Sequence, residues 1–154
     1  MKKIIMYYDI LDKLRTHLDN DPLTNTVSQA DIFSVDLGKQ NIFPIAHIIV
    51  NGATFEGDVI NYNISILAMD ILDISKKEAT DKFIGNDNEQ DIMNTQLSIL
   101  NRMYEQLRRG NIYDDNFQVS GTPTLEPFSD RFENKLCGWV ISFNLLTPNY
   151  MSIC

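Results

Sequence analysis

The chain has 154 residues, and its 13 lysines and arginines against 21 aspartates and glutamates leave a net charge of −8. Its 44% apolar and 10% aromatic content is that of a folded globular chain, and the length suits a single domain, residues 1–154, with a sizeable core. The acidic balance argues against a dedicated nucleic-acid binder or a membrane-surface protein, which need basic footprints, but not against nucleic acid that only slides past.

No apolar run approaches the roughly 20 residues of a membrane-spanning helix. Met1-Lys2-Lys3-Ile4-Ile5-Met6 opens like a signal peptide, but Asp9 and Asp12 interrupt the stretch and no small-residue cleavage site follows. A secretory leader is therefore not expected. Two cysteines, Cys137 and Cys154, are too few for a disulfide scaffold, and reduced thiols in a cytosolic setting are the expectation.

In chain order, Tyr7, Ile10, Leu11, Leu14 and Leu18 fall on one face of a helix at about 6–19. Asp19-Asn20-Asp21-Pro22 ends it. Between Thr24 and Asn41 the apolar residues Val27, Ile32, Phe33, Val35 and Leu37 do not alternate, which suggests an extended segment or short strand plus a loop. A strand follows at about 43–55, a turn at Glu56-Gly57-Asp58, and a return strand at about 59–73. The even positions of the return strand are mainly apolar, from Ile60 to Ile74. Its odd positions begin polar (Asn61, Asn63, Ser65) and then turn apolar (Leu67, Met69, Ile71). Successive side chains point to opposite faces, so the second half of that strand is apolar on both. Either another subunit covers the extra face, or the first helix or the Thr24–Asn41 segment of the same chain does.

Residues 75–88 read as a polar linker. The clearest helix spans about 89–109, capped by Asp87 or Asn88, with Gln90 placed for a capping box after Asp87. Met93, Leu97, Leu100, Tyr104 and Leu107 form its stripe, and Arg108 and Arg109 suit the dipole of its last turn before Gly110. The stripe is expected to pack on Trp139, Ile141 and Phe143. Strands follow at about 116–128, interrupted by a turn at Ser120-Gly121-Thr122-Pro123, and at about 135–146. The order favours an α+β fold: an antiparallel sheet with two main helices packed on it.

Few residues invite chemistry. His17 and His47 are the only histidines, and a lone histidine among strand apolar residues is usually a satisfied, partly buried one. Gly85-Asn-Asp-Asn-Glu-Gln-Asp91 has the alternating carboxylates of a calcium loop, but it lacks the sixth-position glycine, and Ser98 stands where the bidentate glutamate belongs. Asp70 and Asp73 point to opposite faces of one strand. There is no G-x-S-x-G, P-loop or G-x-G-x-x-G. No catalytic residue, metal ligand or cofactor is expected, and an enzyme of small-molecule metabolism is the weakest of the functional alternatives.

Several runs carry a likeness. Phe43-Pro-Ile-Ala-His-Ile-Ile-Val-Asn-Gly-Ala-Thr-Phe-Glu-Gly57, Leu67-Ala-Met-Asp-Ile71, Gly85–Asp91 leading into Asn94-Thr-Gln-Leu97, Pro127-Phe128, Arg131-Phe-Glu-Asn-Lys-Leu136 and Gly138-Trp139 together span nearly the whole chain. In them the chain resembles the tail-completion and head–tail connector ring proteins of tailed bacteriophages, most closely the ring structural proteins of crAss-like phages. The resemblance implies a tail-terminator-like fold and a virion protein of the portal–tail region, synthesised in the bacterial host cytoplasm. It also implies a ring of six or twelve copies, twelve being favoured, that contacts portal, adaptor or tail proteins and lets phage DNA pass without sequence-specific binding or a membrane. Leu67, Met69, Ile71, Phe83, Arg108, Arg109, Phe128, Arg131 and Phe132 are the candidate subunit-interface residues. Residues 75–88 and 120–130 are expected to be long loops reaching adjacent subunits. The alternative is a soluble adaptor or binding module of a phage that forms no ring.

Overall fold

The computed structural model describes residues 7–29, 44–71, 89–109, 117–131 and 136–148. Their element order is α1 (Tyr7–Asp19), β1 (Thr26–Gln29), β2 (Ile45–Glu56), β3 (Val59–Ile71), α2 (Glu89–Arg109), β4 (Gln118–Arg131) and β5 (Leu136–Pro148). The described strands form one sheet in the order β1-β2-β3-β5-β4, an α+β arrangement with two helices.

The sheet is mixed rather than purely antiparallel. β1 runs parallel to β2, with Thr26 opposite Ile45 and Gln29 opposite Ile48. A parallel pair needs a connection of about a dozen residues or more, and residues 30–44 supply that length. The other neighbours are antiparallel. β2 and β3 close through Gly57-Asp58, where Gly57 takes φ +65° at no steric cost.

A second difference lies in β4. The segment expected to turn at 120–123 stays within the strand as a bulge between Ser120 and Thr124, with Gly121 at φ +70°. A bulge inserts residues into one strand without ending it, so residues 120–130 are sheet and not a free loop. The 75–88 linker and the proposed Asp87/Asn88 cap lie outside the described residues.

Period-two alternation sorts the two faces. Ile60, Tyr62, Ile64, Ile66 and Ala68 of β3 join Ala46 and Ile48 of β2 and Ile141, Phe143 and Leu145 of β5 under the helices. From above come Ile10, Leu11, Leu14 and Leu18 of α1 and Ile99, Leu100, Met103 and Leu107 of α2. Tyr104 and Trp139 pack against this core, and the Trp139 indole N–H donates to the Met93 carbonyl at 2.9 Å. That bond satisfies the one polar atom of a large apolar side chain. Strands β3 and β5 approach closely at Gly138, where a Cβ would collide with the Ala68 carbonyl and lie 2.9 Å from the Met69 Cα.

Candidate functional site

The face of the sheet turned away from the helices has two halves. In one, short polar side chains bond sideways across β2, β3 and β5. The Asn51 Nδ2 donates to Asn63 Oδ1 at 2.9 Å and to Ser65 Oγ at 2.8 Å. The Asn63 Nδ2 donates to Asn144 Oδ1 at 3.3 Å, and the Ser65 and Ser142 hydroxyls meet at 3.0 Å. Asn51 owes its reach to a shift of register between Val50 and Gly52. Nearer the hairpin, the Asn61 Nδ2 donates to Glu56 Oε1 at 3.1 Å. Among the described side chains, the charged groups that register places on this face and leaves exposed are the carboxylates of Glu56 and Glu126.

The other half is apolar. Ile45, Leu67, Met69, Phe128 and Leu136 are buried together, with Ile49, Ile71 and Val140 packed against them. Fully buried His47 lies opposite Leu67, its Nδ1 2.6 Å from the Ser28 hydroxyl on β1. It is a bonded core histidine.

Of the interface residues proposed from sequence, Leu67, Met69 and Phe128 thus converge in one cluster, buried within the single chain, and Ile71 borders it. Arg108 stands apart on the last turn of α2. It is half-exposed, paired with Glu105 at 3.1 Å, with its guanidinium carbon 6.0 Å from the Tyr104 ring centroid. Arg109 ends α2 and Arg131 ends β4. Phe83 and Phe132 lie outside the described residues.

Sequence reasoning missed a groove of about 440 Å³ between α2 and β4. Leu97, Leu100 and Tyr104 form one wall, and Pro123 and Leu125 the other, over Ile141. The β4 bulge carries Thr122 and Pro123 to its mouth. Among the described residues its lining holds no carboxylate, histidine, lysine or cysteine. The groove suits an apolar side chain better than acid–base chemistry. It depends on residues far apart in sequence, and neither element shows it alone.

A second polar feature joins the helices. The Asp21 carboxylate is buried and receives both Arg102 Nε and Nη2 at 2.8 Å, with the Leu23 N–H at 3.0 Å. Burial pushes this carboxyl up, but the Arg102 and Leu23 hydrogen bonds and the charges of Arg102 and His17 together hold it below its usual range. Burial lowers the pKa of neighbouring His17, with Asp21 pulling it up and Arg102 down. These groups clamp the turn after α1 to α2.

Among the described residues, no three or more His, Cys, Asp and Glu side chains are grouped to hold a metal ion. No described helix is long and apolar enough to cross a membrane. No protein-family model matches the chain, and no curated protein matches it significantly.

Proposed function

We propose that this chain is a structural protein of a tailed-phage virion, forming a ring on the portal–tail axis through which DNA passes. The resemblance described above motivates the reading. The observation that supports it is the open polar half of the sheet. Its amides and hydroxyls are largely committed to one another, and the exposed charges described on this face are negative, Glu56 in the polar half and Glu126 beside the apolar half. A duplex carries one negative charge per ~1.7 Å, and proteins that hold it present lysines and arginines. A neutral-to-acidic wall repels the phosphates and offers few free donors, so DNA slides past without being clamped. Quantitative mass spectrometry of purified particles should find the chain at a fixed ratio to the portal protein. Its absence from particles would overturn the reading.

A further inference from the structure

We infer that two copies of this chain pair through β2, their free edges from Asn51 to Glu56 running antiparallel about a two-fold axis and joining the two sheets into one. The inference goes beyond the ring reading, because a two-fold contact joins copies in pairs and is separate from the contact that closes a ring.

The backbone sets the register. β1 covers β2 only from Ile45 to Ile48, so among the described residues Asn51–Glu56 is an outer edge of the sheet. The two-residue turn Gly57-Asp58 closes on Glu56 and Val59, which must form a hydrogen-bonded pair. Bonded and non-bonded pairs then alternate along the hairpin. Thr54 is therefore bonded to Asn61, while Phe55 and Ala53 turn their N–H and C=O groups away from β3. No described backbone group meets them there. An antiparallel copy that sets Phe55 opposite Ala53 engages all of these groups, two bonds in each of two symmetric pairs, with Thr54 facing its counterpart on the axis. A slip of register in one direction puts Phe55 against Asn51 at the bulge, and in the other puts Ala53 against Gly57 in the turn.

The side chains fit the same register. Ala53 and Phe55 sit opposite core residues Tyr62 and Ile60, so both lie on the helix side of the sheet. Phe55 is 80% exposed, and the pairing sets it beside exposed Ala53 of the other copy, a large side chain against a small one. Next to Ala53 stands Tyr62, its ring centroid 6.4 Å from that of Tyr7, which is 45% exposed. Aromatic surface therefore continues across the junction. On the outer face Glu56 falls opposite Gly52, so no like charges meet. The run Asn51-Gly52-Ala53-Thr54-Phe55 also lacks the charges and prolines that protect sheet edges. The other edge, β4, is blunted by Pro123, Pro127 and two register shifts. One edge is thus open to strand addition, and its own free groups and side chains match a second copy of itself.

Sedimentation of the purified chain up to millimolar concentration tests the pairing. The unsubstituted protein should form dimers. Thr54→Lys sets two ammonium groups face to face on the axis, and Thr54→Glu two carboxylates, so each should weaken association by about tenfold or more. Thr54 is exposed on its own chain, so both variants should fold. Mixing them should restore a one-to-one dimer, because only this register puts residue 54 opposite itself. In a Cys154→Ser background, Thr54→Cys should form a symmetric disulfide on oxidation, since the Cα atoms of a non-hydrogen-bonded pair stand about 4.5 Å apart. Dimers that Thr54→Lys leaves intact, or variants that do not recover on mixing, overturn the pairing. A chain that stays monomeric overturns it too and leaves the edge to a strand of another protein. The ring reading is decided separately, by the place of the chain in the particle.

Discussion

Arg102 holds Asp21 with two hydrogen bonds of 2.8 Å across 81 residues of sequence, one from Nε and one from Nη2. The carboxylate is almost fully buried and the guanidinium side is 43% exposed, so solvent screens the arginine but not its partner. Arg102→Met should leave a buried carboxylate short of two donors. We expect a loss of about 1–3 kcal/mol in urea unfolding, below the figure for a fully buried pair because Arg102 is half in water. A loss under about 0.5 kcal/mol would show that Asp21 is solvated by other means.

The same cluster sets the acid response. His17 has its pKa lowered from 6.5 by burial, so the folded state binds fewer protons than the unfolded one as pH falls below that value, and stability declines there. Asp21 is held below 3.8 despite its burial. Its contribution is present above that pH and is lost as pH falls through the folded value. Unfolding midpoints should therefore drop in two stages on acidification. His17→Gln should remove the first and leave the second. A single drop, unchanged by that substitution, would contradict the assignment.

Leu100 is fully buried beneath α2. Leu100→Ala should cost about 2–5 kcal/mol, the transfer loss plus a cavity. A change within about 0.5 kcal/mol would mean that α2 does not rely on this contact.

Gln96 is 1% exposed, and among the described residues neither its Oε1 nor its Nε2 has a hydrogen-bond partner. Buried polar groups without partners are destabilising by about 1–3 kcal/mol. Gln96→Leu, of similar size, should raise the thermal midpoint. A fall would show that the amide is bonded in solution.

Sequence made the local periodicities plain and the long-range partnerships invisible. Met93, Leu97, Leu100, Tyr104 and Leu107 mark α2 because a helix repeats within a few residues. The change on β3 from Asn61, Asn63 and Ser65 to Leu67, Met69 and Ile71 foretells the two halves of the outer face. β1 falls in the Thr24–Asn41 segment, read as an extended segment or short strand plus a loop, but four residues around Val27 carry too little alternation to fix its bounds or its parallel pairing. At β4, Ser120-Gly121-Thr122-Pro123 reads as a turn, but a bulge uses the same residue types, and Gly121 takes φ +70° within the strand. The groove, the Asn51–Asn63–Asn144 ladder and the Asp21–Arg102 bond each depend on strand order or helix placement, which no local window contains.

Electron microscopy of the intact virion would show directly whether this chain rings the DNA path. A closed ring of this chain on the portal–tail axis is expected, with the face bearing Asn63, Ser65 and Asn144 lining the channel. Isolated copies, or density away from that axis, would contradict it.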